Sequence, residues 1–433
     1  MRCYFLLSFI LTLFGTSTVA ATDKPTVLTE PSPALSVEMA EIRVPQGFTA
    51  TQVATQLGHA RHLVVRDNGD IYVNLQSLSA KGGGIVALRD VNGDYVADKI
   101  AYFGSSSGTG IGLFQNYLYV ASDTAIYRFA LKPDELVPTA ARETVVSGFP
   151  VQNSHAAKSF AIDEAGNLYV NVGAPSNACQ VRTRTPGSPG QRPCPQLVTG
   201  GGIWQFSALK TKQRFPEDGE HFATGIRNAV AVAWDSASQH LYAAIHGRDQ
   251  LDSLWPAHFD AKANADLPAE ELHRIVAGGD YGWPYTYYDP LQMVRVLAPE
   301  YGGDGRKLPE ENHYFSPLVA FPAHLAPNAI VFYHAQQFPE AYRNGAFVAF
   351  HGSWNRAPYF QAGFNVAFVP FVQGEVGANW WTFADGFAGD VPPKKPGQAR
   401  YRPTGLAVSP DGALYVADSR QGTIWRIAFK GAE

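Results

Sequence analysis

Gly166-Asn167-Leu168-Tyr169-Val170 decides the fold, because it is one of six such phrases in the chain. A polar turn able to reverse the chain leads into a short run of β-favouring residues. The phrase returns as Gly69-Asp70-Ile71-Tyr72-Val73, Asn116-Tyr117-Leu118-Tyr119-Val120, Gln239-His240-Leu241-Tyr242-Ala243, Asn344-Gly345-Ala346-Phe347-Val348 and Gly412-Ala413-Leu414-Tyr415-Val416. A second run with its own signature follows each, among them Ile126-Tyr127-Arg128-Phe129, Ile203-Trp204-Gln205-Phe206 and Ile424-Trp425-Arg426-Ile427. An apolar run precedes each, as Leu63-Val64-Val65 or Leu406-Ala407-Val408 does. Short strands in a repeated order, with no helical pattern between them, predict an all-β, six-bladed β-propeller. A β-sandwich with chance similarity would not repeat the order of strand types.

The spacing is uneven because blades three to five carry insertions. One lies between the second and third strands of blade three and contains Cys179 and Cys194. Residues 250–271 interrupt blade four, and residues 285–326 separate blades four and five. Loops inserted on the face where the innermost strands open are where a propeller builds a ligand site.

Composition bounds the function. The 433 residues are 45% hydrophobic and 17% charged, enough apolar material for a large core and too much for a disordered chain. A formal charge of -4 argues against a nucleic-acid binder, which needs a basic face, and no polybasic run suits a membrane surface. Residues 1–21 read as a secretory signal, with Arg2, an apolar run and small residues up to Ala20 and Ala21. Residues 22–37 form a flexible lead-in and residues 38–433 the propeller. No later stretch reaches the length of a membrane span, so a periplasmic or secreted protein is expected. Cys3 leaves with the signal. Cys179 and Cys194 flank a Gly/Pro-rich stretch and are expected to form a disulfide. Free thiols or half of a metal site are the alternatives, although no second Cys pair stands nearby for zinc.

Residues just before each innermost strand should share the axial mouth. Those positions hold Arg61-His62, Thr109, His155 and Lys158, Arg227-Asn228, Pro327-Asn328, and Arg400-Tyr401-Arg402. So many donors around one axis suit an anionic ligand, since arginine matches carboxylate geometry. The rival reading has these arginines satisfying loop carbonyls or pairing with Asp. His155 is the candidate proton acceptor, heading blade three opposite Arg227. Three other signals are weaker. Asp90, Asn92, Asp94 and Asp98 have the spacing of a structural calcium loop, but Ala101 stands where the last carboxylate belongs, and an Asx-rich turn is the alternative. Gly104-Ser105-Ser106-Ser107-Gly108 matches a nucleophile elbow formally, without the helix that should follow. Gly108-Thr109-Gly110 lacks the third glycine of a dinucleotide site.

From about Gly47 to Ile427 the chain resembles the soluble pyrroloquinoline quinone (PQQ) sugar dehydrogenases, the aldose and L-sorbosone dehydrogenase type. The resemblance is carried by His155 with Leu168-Tyr169-Val170-Asn171-Val172-Gly173, and by Gly225-Ile226-Arg227-Asn228 and His246-Gly247-Arg248-Asp249-Gln250. Gly278-Gly279-Asp280-Tyr281-Gly282-Trp283-Pro284, His351-Gly352-Ser353-Trp354-Asn355-Arg356 and Arg400-Tyr401-Arg402-Pro403 complete it. It implies a six-bladed propeller with PQQ and calcium at the axial mouth. His155 would take the substrate hydroxyl proton while hydride passes to the quinone, and Arg227 would lie beside the quinone oxygens. Asn228, Arg400 and Arg402 would hold PQQ, with Arg356 or its neighbour Asn355 as a further contact. Arg61, from the mouth positions above, joins this cofactor-binding set. The backbone carbonyls of Gly247 and Arg248 match the pair that binds the catalytic calcium. The substrate would be a sugar or polyol, and the electron acceptor a soluble cytochrome or a quinone. Two departures stand out: Ala174 replaces the Asp that orients the histidine in glucose-oxidising members, and Ser154 replaces the Asp before it. A non-catalytic binding propeller and a calcium-dependent lactonase are the alternative readings.

Overall fold

Short strands alternate with turns because Gly and polar residues interrupt each β-favouring run within a few residues. The computed structural model describes residues 35–36, 42–310, 313–372, 374–377 and 379–431. The expected signal, residues 1–21, lies outside the described residues. Six antiparallel sheets follow one another around an axis, and the molecule is a six-bladed β-propeller. Blade one comprises Ala60–Val65, Ile71–Leu75, Ile85–Arg89 and Lys99–Phe103 from the axis outward. Blade two runs from Ile111–Phe114 to Glu143–Ser147, and blade three from Phe160–Ile162 to Glu220–Thr224. Ala231–Asp235 opens blade four, Pro327–Tyr333 blade five and Pro403–Val408 blade six.

Second strands such as Ile71–Leu75 and Gly345–Phe350 are buried at every residue. Both faces of each blade meet a neighbouring blade, so these strands are continuous apolar runs without alternation. That is why the Leu-Tyr-Val phrase marks them.

Ring closure comes from the other end of the chain. Phe48–Ala54 pairs antiparallel with Ile424–Phe429 and supplies the outer strand of blade six. The join is locked by aromatic packing: the Phe48 ring meets Phe338 at 4.8 Å and Phe383 at 5.2 Å, both edge-on. Within the expected flexible lead-in, Leu35–Ser36 pairs with Val44–Pro45. Two strand edges are covered by neighbours, as unpaired edges require. Gln213–Arg214 adds in parallel to the outer strand of blade two, and Gly279–Asp280 to that of blade three.

One expectation needs correction. Residues 285–326 do not simply separate blades four and five, because Val319–Phe321 within them is the outer strand of blade four. The insertion therefore lies inside blade four, and it carries its own hairpin of Thr286–Asp289 with Val294–Leu297. Among the described residues, no helix is long and apolar enough to cross a membrane.

Candidate active site at the axial mouth

The turns that enter the innermost strands and those that join second to third strands open on the same face. Between them lies a cavity of ≈ 210 Å³ lined by His155, Arg227, His246, Asp249, Glu270 and Arg402, among others. His155 sits in the left-handed region, with φ 54, in the turn before Phe160–Ile162. Its Nδ1 donates to the Ala174 carbonyl at 2.6 Å. A backbone oxygen thus does the orienting that a carboxylate does where an Asp stands, and it fixes the proton on Nδ1. Nε2 is left with its lone pair. Burial, then the positive charge of Arg227, holds the imidazole at about 3, so it is neutral at physiological pH. A neutral, oriented imidazole in a cavity wall is a proton acceptor in waiting.

Arg227, expected opposite His155, is instead buried beside it: its carbonyl accepts the N–H of the same Ala174 at 2.8 Å. Its Nη2 reaches the Asp249 carboxylate at 2.8 Å, and its Nη1 the Gly247 carbonyl at 2.9 Å. Asp249 also pairs with Arg184 at 3.0 Å, and its carboxyl is held far below the usual range by Arg227 despite its burial. Glu270 faces the same cavity and accepts N–H groups from Gly247 at 3.0 Å and Ala326 at 3.1 Å. Burial pushes it up to about 8.

Arg402 is part of the cavity wall, whereas Arg61, buried near it, is not. Arg402 donates to the carbonyls of His351 at 3.0 Å and Gly352 at 2.5 Å, and Arg61 to the Thr109 hydroxyl at 3.2 Å. Neither makes an ion pair among the described residues. Both are pulled down to about 10, chiefly by burial, and Arg61 also by the charge of Arg402. Two buried cations that repel each other are relieved by an anion bound near both.

The other expected residues divide. Asn228 is buried at the axis, its Oδ1 accepting from Asn171 Nδ2 at 3.2 Å. Arg356 ties two loops together through the carbonyls of Ala265 at 2.6 Å and Ala323 at 3.2 Å, and it does not line the cavity. Its neighbour Asn355 is buried against His324, Nδ2 to Nε2 at 3.2 Å. Arg400 is exposed and absent from the cavity wall, whereas Arg402, two residues on, forms part of it. The Arg248 side chain turns away to a buried pair with Glu300. Cys179 and Cys194 form the expected disulfide. In the loop of Asp90, Asn92, Asp94 and Asp98, the side-chain oxygens are taken up by backbone N–H groups. Asp90 accepts from Gly93 and Tyr95, each at 2.7 Å, and Asp98 from Val91 at 2.6 Å, which is Asx-turn geometry.

A propeller whose axis ends in a cationic, histidine-bearing mouth defines a class: a protein that holds an anionic ligand beside a neutral base. The family model TrAA12-like matches residues 42–430. The chain belongs to that family, the AA12 PQQ-dependent oxidoreductases. Among solved structures, it is similar to the holo form of the PQQ domain of a pyranose dehydrogenase from Coprinopsis cinerea. The TM-score is 0.68 and the identity 18%, covering 92% of this chain and 98% of that one. A calcium structure of the AA12 enzyme from Trichoderma reesei superposes with a TM-score of 0.69 at 16% identity, covering 93% and 98% of the two chains. An uncharacterized protein of Borreliella burgdorferi is 25% identical over 334 residues, 74% of this chain and 75% of its own.

Asp249 and Glu270 were not singled out from the sequence. Asp249 lies inside a quoted motif, His246-Gly247-Arg248-Asp249-Gln250, so its place beside Arg227 had a signal. Glu270 opens a third strand and had none.

Proposed function

We propose that the protein is a secreted, PQQ- and calcium-dependent dehydrogenase that oxidises a sugar or a sugar-derived alcohol or aldehyde. The observation that carries this reading is the neutral His155, oriented by the Ala174 carbonyl, in a cavity whose wall includes Arg402, a cation with no carboxylate partner among the described residues. PQQ is a tricarboxylate, and the unpaired cations fit its charge. Arg402 would hold a carboxylate, with the buried charge of Arg61 near it and Arg227 and Asn228 beside the ring; Arg400 and Arg356 sit farther out. Calcium takes six to eight oxygen ligands. The chain would offer the Gly247 and Arg248 carbonyls, and the cofactor's oxygens and water would complete the shell.

Bound PQQ supplies a quinone carbonyl that accepts hydride from the carbon bearing the substrate hydroxyl. His155 removes the hydroxyl proton at Nε2, so the substrate loses one hydride and one proton and becomes a carbonyl compound or lactone. Nδ1 stays bonded to Ala174, which keeps the imidazolium aligned after the proton arrives. Arg227, fixed by Asp249, would set a positive charge beside the quinone oxygens. The electrons would leave to a soluble cytochrome or a quinone. The lactonase reading has less support, because the described residues contain no group of three or more His, Cys, Asp or Glu placed to hold a metal. The binding-propeller reading rested on the missing Asp, and the Ala174 carbonyl answers that loss.

The test titrates signal-free apo protein with PQQ and calcium by absorbance, then follows dye reduction with aldoses, sorbosone and polyols. PQQ should bind, and His155→Gln should keep that binding while lowering kcat by about 10²–10⁴-fold. Failure of the unaltered protein to bind PQQ would overturn the assignment.

A further inference from the structure

Five hydrogen bonds converge on one asparagine of the disulfide-bearing loop. Asn177 is buried, and its Oδ1 accepts from Arg227 Nη2 at 3.0 Å and from the Asp249 N–H at 2.9 Å. Its Nδ2 donates to the Asp249 carbonyl at 2.9 Å. Its own carbonyl accepts from Arg227 Nε at 3.2 Å and from the Trp283 indole at 2.9 Å. The side-chain amide therefore pairs with the Asp249 backbone as a neighbouring peptide would, donor to acceptor and acceptor to donor.

The consequence lies in the donor count of arginine. A guanidinium has five N–H groups in one rigid plane. For Arg227, Nε–H goes to the Asn177 carbonyl, one Nη2–H to Asn177 Oδ1, the other to Asp249, and one Nη1–H to the Gly247 carbonyl. The fifth, on Nη1, has no protein acceptor among the described residues. Because the plane is rigid, fixing four donors fixes the direction of the fifth. Asn177 supplies two of the four acceptors and also holds Asp249, which supplies a third. The asparagine is itself held: Cys179, two residues on, is in the disulfide, and Cys179, Cys194, Ala174 and Trp283 pack into one buried cluster.

We propose that Asn177 is a positioning residue that aims the free Nη1–H of Arg227 at the ligand in the mouth. This rests on the reading of the mouth as the PQQ site. The short segment from Ala174 to Cys179 then sets both reacting groups, with the Ala174 carbonyl orienting His155 and Asn177 orienting Arg227.

Asn177→Leu removes the amide while keeping the number and branching of heavy atoms, and Asn177→Asp keeps an acceptor for Arg227. Both are compared with the unaltered protein for PQQ binding, kcat, KM and the ¹⁵N–¹H resonance of Arg227 Nε, assigned from its loss in Arg227→Lys. A hydrogen bond to a charged group is worth about ten- to a hundredfold. Asn177→Leu should lower kcat by that factor, leave the sugar KM within about twofold, and broaden the Arg227 resonance in the apo protein. Asn177→Asp should retain the resonance and recover part of kcat. A kcat within twofold of the unaltered protein in Asn177→Leu, or an unchanged Arg227 resonance, overturns the proposal. The resonance needs no cofactor, so it decides the point even where PQQ fails to bind, an outcome that counts against the functional reading instead. If Asn177→Leu does not fold, Asn177→Ser, whose hydroxyl is too short to reach, takes its place. Loss of the Arg227 resonance in that variant supports the positioning role, and an unchanged resonance overturns it.

Discussion

Acid should destabilise this protein earlier than its carboxylates alone would dictate, and the mouth is the reason. His62 and His246 each bond a carbonyl through Nε2, Asn328 at 2.7 Å and Pro327 at 2.8 Å, as His155 does through Nδ1. Burial holds the first two at about 4 and His155 at about 3. The unfolded chain protonates its histidines near 6.5. Their contribution is therefore complete above pH 6.5 and falls away as the solution is acidified, because only the unfolded state gains protons. Between pH 6.5 and 5.0 each loses about 1.6 kcal/mol of stability, about 5 kcal/mol for the three. Glu270 works in the other direction. Its folded value, about 8, lies above the unfolded 4.5, so it gains stability as the pH falls and returns about 2 kcal/mol over the same interval. The net loss is about 3 kcal/mol, near 4 °C in Tm for a chain of this size. His351, lowered well below its ordinary value, adds in the same sense. Calorimetry of the signal-free apo protein at pH 6.5 and 5.0 measures it, and the His62→Gln, His246→Gln double variant should remove most of the difference. A Tm that is flat or rises between pH 6.5 and 5.0 would refute the neutral-histidine account of the mouth.

Two further outcomes follow from the same segment. Replacing Cys179 and Cys194 by Ser should cost about 3 kcal/mol by loosening the unfolded chain. In a PQQ titration it should also weaken binding, because Ala174 and Asn177 lose their anchor; calorimetry reads the first effect and absorbance the second. Gly173→Ala would place a Cβ 2.6 Å from the His155 Cβ and 2.8 Å from its carbonyl oxygen. The turn that carries His155 must then shift, and a displacement near 1 Å should lower kcat about 10²-fold. Stopped-flow reduction of the PQQ-loaded enzyme distinguishes that from a binding defect.

The strand repeat was legible because a turn residue followed by a β-favouring triplet is a local property, and six copies make it unmistakable. The cationic mouth was legible in part for the same reason: Arg227 and Arg402 stand a few residues before strands that could be located, whereas Arg61 falls inside its strand and outside the cavity wall. The cysteine pair could also be read, since the intervening Gly/Pro-rich stretch has little other means of ordering itself. Chain position alone could not show that Phe48–Ala54 completes blade six, because that pairing joins segments more than 350 residues apart. Nor could it show that Val319–Phe321 belongs to blade four, or that Arg402 lines the cavity while Arg400 faces outward. The orientation of His155 is the clearest case. Ala174 looked like the loss of a partner, yet the partner is its carbonyl, a group every residue carries. Side-chain chemistry and local periodicity are written in the sequence, whereas a backbone oxygen, a turn's direction and a long-range pairing acquire their roles only when distant segments are brought together.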